Sequence, residues 1–297
     1  MDTVRGVTRR GWTLHEMIIS LGIMGIVLGL ASHAATQQLR FFRGVEDIVA
    51  LRRQVAHTTH IVSSVLWDAS ASDITVARDS ALELHASIGT AVTCESVSGR
   101  ITIPAASGAS GNALAAFIES PEAGDRVMAF FEDSLGATWL ALHVAAGPAS
   151  AGSCAAFPSV VNTWVVTLQE SLVVPTGTVL RFTRPLRLSL YHASDNRWYL
   201  GAKDWNGATL RFNTIQPVAG PLEPYSADPA RSGLSLRYLD SEGLELPDPP
   251  DPNRIASVAI VARGETIRPA RAAGLESGSS ATYPDSSAAA VGLRNRR

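Results

Sequence analysis

A chain of 297 residues allows one large domain or two small ones. Hydrophobic residues, at 46%, supply enough apolar surface for a core and exclude a wholly disordered chain. Charged residues make up only 18% and the net charge is −2, which excludes a nucleic-acid binder working through bulk positive charge.

The first informative element is the N-terminus. Arg5, Arg9 and Arg10 outweigh Asp2, and an apolar stretch follows, densest over Met17–Ala31. From Trp12 to Ala31 it spans about 30 Å as a helix, the thickness of a bilayer core. The arginines in front hold that end in the cytoplasm, so the bulk of the chain is expected on the other side of the membrane. Three readings fit. An ordinary secretory signal would be cut before Ala35, after the small residues of Ser32-His33-Ala34. A twin-arginine signal would use Thr8-Arg9-Arg10-Gly11-Trp12. Neither has a use for Glu16, whose carboxylate costs roughly 2.5–3.5 kcal/mol in such a segment.

The third reading gives Glu16 a role. A cut after Gly11 makes Trp12 the new terminus, one helical turn from Glu16. The terminal ammonium and the carboxylate can then neutralise each other, within a chain or between neighbours, and between chains the pairing sets the axial step of a helical bundle. Arg10-Gly11-Trp12-Thr13-Leu14-His15-Glu16, followed by the apolar run, resembles the prepilin-type signal of type IV pilins and type II secretion pseudopilins. The family usually has Phe where Trp12 stands and an apolar residue where His15 stands. The resemblance implies that Gly11 precedes the scissile bond, that Trp12 is the N-methylated terminus and that Glu16 is the assembly carboxylate. It also implies a prepilin peptidase, other pilin or pseudopilin subunits and the inner membrane as partners. No nucleic acid, cofactor or metal is expected.

Past Ala31 the run turns amphipathic. Val45, Ile48, Val49, Arg52, Val55, Val62, Val65 and Leu66 fall near helical spacing, and no proline interrupts residues 12 to 66. One helix of about 80 Å is the simplest account. Gly22, Gly25 and Gly29 permit close helix packing, and tolerated flexibility accounts for them equally well.

From Asp73 the pattern becomes strands. Ile74–Ala77 and Ala81–His85 flank a hairpin turn at Arg78-Asp79-Ser80. Further strands are expected at 100–103, 126–131, 138–144, 164–168, 179–182, 186–191, 197–200, 209–212, 234–238 and 255–261, separated by Gly, Pro, Asn and Asp clusters. Cys94 and Cys154 are too few for a disulfide scaffold or a four-cysteine zinc site. They form one bridge if the domain lies outside the cytoplasm, and two small buried thiols otherwise. Ser107–Asn112 reads as a surface loop and Leu246–Pro252 as a stiff connector outside the core. Ser235–Gly243, a proline-rich gap and then Asn253–Val261 are also similar to the closing β-region of large minor pilins and J-type minor pseudopilins.

The expected class is therefore α+β: a long N-terminal helix, transmembrane then amphipathic, packed on an antiparallel β-rich globular domain. Its parts are a cleaved leader (1–11), a transmembrane segment (12–34), an amphipathic continuation (35–70), the globular domain (71–268) and a disordered tail (269–297) of Ala, Ser, Gly and Arg. No phosphate-binding loop, nucleophile elbow or zinc-protease motif is present, and catalysis is not expected. His57 and His60, one turn apart, read as a surface or packing pair. The acidic run Asp240, Glu242, Glu245, Asp248 and Asp251 reads as a solvated turn, not a calcium loop. Trp198, Tyr199, Trp205 and Tyr225 read as an exposed binding platform or as core, with core favoured for the two tryptophans. The expected product is a large minor subunit near a filament tip, its globular domain periplasmic or extracellular. The alternative is a secreted or membrane-anchored enzyme or carbohydrate-binding protein with an ordinary export signal.

Overall fold

The computed structural model describes residues 13–105, 114–133, 136–268 and 282–294. The chain divides into two units, Met1–Ala50 with Thr266–Tyr283, and Leu51–Glu265 with Pro284–Arg297. It contains one long apolar N-terminal helix and a large antiparallel β-domain, an α+β arrangement. The expected leader (1–11), Trp12 and the loop 107–112 lie outside the described residues.

Helix α1 runs Leu14–Trp67; it covers residues 14 to 66 as expected, while the continuation expected as far as residue 70 stops three residues sooner. In the larger unit its buried positions are Leu51, Val55, Thr58, Thr59, Val62 and Leu66, an i, i+4, i+7 stripe. The stripe expected from sequence is partly displaced. Val45, Val49 and Arg52 are exposed, while Leu51 takes the inward position that the pattern had given to its neighbour.

The strands are β1 (Ile74–Ala77), β2 (Ala81–Val92), β3 (Glu95–Val97), β4 (Arg100–Pro104) and β5 (Ala115–Phe117). They continue with β6 (Arg126–Asp133), β7 (Gly136–Ala151), β8 (Thr163–Leu168), β9 (Val179–His192), β10 (Trp198–Asn206), β11 (Arg211–Phe212) and β12 (Gln216–Leu222). These twelve form one sheet with the path β1-β2-β9-β6-β7-β8-β4-β3, from which β10 branches off β9. A second sheet holds β13 (Leu234–Leu239), β14 (Ser257–Glu265) and β15 (Pro284–Gly292) in that order. Among the described residues every strand-to-strand pairing is antiparallel, with one isolated parallel bridge between Ser70 and Arg294.

Two expected strands, 179–182 and 186–191, are one. Pro185 does not break β9, because β6 accompanies β9 only as far as Thr183 and β10 begins only at Leu186. The proline therefore sits where the strand's second neighbour changes, and no ladder bond is lost on that side. The core of the large sheet is formed by Ile101, Ile103, Val127, Leu142, Val166, Leu180 and Phe182, with Phe117 set edge-on to Phe182 at 5.2 Å. Complete burial of side chains of this size is worth roughly 1.5–3 kcal/mol each.

Two expectations are corrected. The tail is not disordered throughout: residues 284–292 form β15, with nine residue pairs to β14 and no register shift. Its alternate residues Ser287, Ala289 and Val291 turn towards the buried side, and pairing with a hydrophobic neighbour supplies the burial that the strand's own small side chains lack. Residues 269–281 and 295–297 lie outside the described residues. The connector 246–252 is also not outside the core. Leu246 is buried, and its N–H donates to Tyr238 O at 2.8 Å.

Candidate functional site: the apolar helix and its first turn

The start of α1 is built by Thr13 and Glu16. Thr13 N–H donates to Glu16 Oε2 at 2.9 Å, and the Thr13 hydroxyl donates to the same oxygen at 3.1 Å. In return Glu16 N–H reaches Thr13 Oγ1 at 3.4 Å. This is the reciprocal capping arrangement of Thr-x-x-Glu, and it satisfies backbone donors that a helix start leaves open. The carboxylate also lies at the positive end of the helix dipole. The sequence reading found a use for Glu16 only in an ion pair; the Thr13-to-Glu16 spacing was the signal for this second role.

From that turn to Ala31, α1 is almost wholly apolar on all sides. Leu14, Ile18, Leu21, Ile26 and Leu30 are each more than half exposed. An 18-residue window has mean hydropathy 1.9 with no part of it buried, so the helix is long and apolar enough to cross a membrane. A Cβ added at Gly22, Gly25 or Gly29 would meet nothing within 4 Å. Gly11 and Trp12, expected from sequence at the cut, fall outside the described residues, and Glu16, expected to serve assembly, is exposed in the first turn.

Cys94 and Cys154 are joined, their Cα atoms 5.5 Å apart, and both are buried with Val160. The bridge closes a 60-residue separation between the end of β2 and the loop after β7. His57 and His60 are exposed on α1, and among the described residues no group of three His, Cys, Asp or Glu is placed to hold a metal. The acidic residues near 240 serve the backbone. Asp240 Oδ1 accepts from Glu242 N–H and Leu244 N–H, each at 2.9 Å, and Asp251 accepts from Asn253 N–H.

The aromatic side chains do not form one platform. Trp198 opens β10 and Trp205 nearly closes it, roughly 23 Å apart at strand rise. Trp205 Nε1 donates to Ala123 O at 3.0 Å, and its indole lies over Gly124, whose φ of +89° and lack of a Cβ leave room for the ring. Trp198 is half-buried against His192, Tyr199 donates to Asp195, and Tyr225 donates to Asp79.

A charged cluster that sequence reasoning missed lies below the end of α1. Asp73 is buried and accepts from Arg126 and from Arg181 Nη1, the latter at 3.0 Å. Arg181 Nη2 also donates to Asp68 O at 2.5 Å. His85 stands beside this cluster with Nδ1 buried and unpartnered. Burial, then the Arg126 charge, pushes its imidazole down to about 4. Only Ser70-x-x-Asp73, a local cap, was visible in sequence; the arginines come from strands 53 and 108 residues away.

Searches against protein-family models, curated proteins and solved structures find no match for this chain.

Proposed function

We propose that the chain is a prepilin-like membrane subunit, cut after Gly11 by a prepilin peptidase and assembled with other pilin or pseudopilin subunits. The observation behind the reading is a single one. The apolar part of α1, unburied and of membrane-spanning length, has one carboxylate, Glu16, in the helix's first turn. After the cut, the Trp12 ammonium would stand next to Thr13, whose N–H already points at that carboxylate. Glu16 then has two uses: it caps its own helix, and it neutralises a terminal amine of the same or a neighbouring chain. The step is assembly, driven by apolar helix packing. The globular part, large for a repeating subunit, suits a minor subunit near the tip, outside the inner membrane. A bridged Cys94–Cys154 pair agrees with an oxidising compartment.

Mass spectrometry of the mature N-terminus tests the cut. A methylated Trp12 is expected; a start at Ala35 would transfer the chain to the exported enzyme or binding protein. Glu16→Gln separates the two uses of the carboxylate, because glutamine retains the cap and removes the charge. The variant is expected to be cut at Gly11 and to stay out of filaments. Normal assembly of Glu16→Gln would refute the amine pairing.

A further inference from the structure

Among the described residues the second sheet is closed at one edge and open at the other. At the β13 edge, Leu236 N–H donates to Asp79 O at 2.6 Å, and Tyr238 O accepts from Leu246 N–H at 2.8 Å. The β15 edge is different. Leu293 N–H donates to Ala256 O in the β14–β15 register, so odd-numbered residues of β15 direct their N–H and C=O groups to β14. Even-numbered residues therefore direct theirs outward, and Arg294 N–H, which donates to Ala69 O at 3.0 Å, follows that rule. Ser286 N–H is taken by Asp285 Oδ1. The N–H groups of Ala288, Ala290 and Gly292 and the C=O groups of Ser286, Ala288 and Ala290 have no partner among the described residues.

Nothing on this strand discourages pairing. It has no bulge, its only proline is the first residue, and its only charge, Asp285, is held by Arg52 at 2.9 Å. The outward side chains Ser286, Ala288, Ala290 and Gly292 are small and exposed, so an added backbone meets no steric barrier. We infer that β15 is a strand-addition site, and that its occupant is an extended, uncharged segment of a different polypeptide.

A second copy fits poorly for geometric reasons. Arg52 pairs with Asp285, Thr59 with Ser287 at 2.9 Å, and Arg294 with Ala69, so α1 and β15 advance in the same direction. An antiparallel β15–β15 pair would set the two copies' helices in opposite directions, which one membrane entered from one side does not allow. That exclusion, and only that, rests on the proposed membrane role. A parallel β15–β15 pair about a two-fold axis along the strand sets N–H against N–H. A parallel copy offering β13 has that edge already occupied. The sheet accepts one strand and has no equivalent edge to continue the series, which suits a subunit that meets unlike neighbours.

The test uses the full chain in detergent micelles and, as probe, a blocked nine-residue peptide of alternating Val and Thr, the length of β15. Amide exchange read by fragment mass spectrometry is expected to slow at Ala288, Ala290 and Gly292, and to stay unchanged at Ser287, Ala289 and Val291. Ala288→Pro removes an outward donor at an edge that tolerates proline, and should weaken the peptide about tenfold, one or two hydrogen bonds, with the melting temperature held within about 2 °C. A peptide N-methylated at every second residue should not bind. Absence of protection at about 1 mM peptide, or equal binding by Ala288→Pro, overturns the site. A disulfide-linked dimer between Ala288→Cys and Ala290→Cys chains overturns the occupant. None of these readouts depends on where the N-terminus is cut, so failure here and failure of the assembly role are separable.

Discussion

Asp73 and Arg181 meet at 3.0 Å although 108 residues separate them, and Arg126 shares the same buried carboxylate. The pair ties the turn that ends the long helix to the middle of the large sheet. A buried ion cluster of this kind is weak as a net stabiliser but costly to break, because the remaining charges lose their counter-ion.

Removal of the carboxylate is the first expected consequence. Asp73→Asn should cost about 3–5 kcal/mol, since it leaves Arg126 and Arg181 uncompensated. Urea unfolding followed by circular dichroism in detergent measures it. An effect within the range of an ordinary surface substitution, about 0.5 kcal/mol, would show that the cluster is solvated and unimportant.

Acid should act on the same region through His85. Its folded-state titration lies near 4, below the ordinary value of 6.5, so the unfolded chain binds a proton that the folded chain does not. Stability from this group is complete above about pH 6.5 and is lost as pH falls towards 4, by at most about 3 kcal/mol. In His85→Gln the stability difference between pH 7 and pH 4.5 should shrink. An unchanged difference would assign the acid sensitivity to other groups.

The Cys94–Cys154 bridge should matter to folding more than to shape. For its 60-residue separation the loop-entropy account gives about 4 kcal/mol. Cys94→Ser with Cys154→Ser is expected to lower the urea midpoint by a corresponding amount and to leave the far-ultraviolet spectrum nearly unchanged. A midpoint unaffected by the double substitution or by reductant would contradict this.

At Gly124 two requirements coincide: a φ of +89° and an indole where a side chain would be. Gly124→Ala should cost about 1–3 kcal/mol and loosen the Trp205 contact, seen as a shift in tryptophan emission. Retained emission and stability would mean that the turn relaxes at no cost.

Much of this fold was readable because its signals are local. Ile74–Ala77 with Ala81 onwards alternates and is broken by a short polar turn, and the structure has that hairpin in place. The long helix was plain from its unbroken apolar run. Signals failed where the deciding partner is distant in sequence. Ser286–Gly292 has small side chains and no hydrophobic alternation, and only β14 makes it a strand. Gln216–Leu222 contains two prolines and pairs with β10 all the same. Pro185 reads as a break until the neighbours on both sides of β9 are known. Of the candidate site, the apolar span and Glu16 were legible from spacing alone. The Thr13 cap is carried by the same short Thr-x-x-Glu spacing, a signal for backbone donors that the cost of a carboxylate in lipid masks.

The end of α1 is anchored on two sides at once: Arg181 of the large sheet grips Asp68 O and Asp73, and Arg294, two residues past β15, holds Asp68 at 3.1 Å and Ala69 O. A pull on the helix would therefore be shared between its packed stripe, Leu51 to Leu66, the Arg52–Asp285 and Thr59–Ser287 contacts with β15, and this last joint.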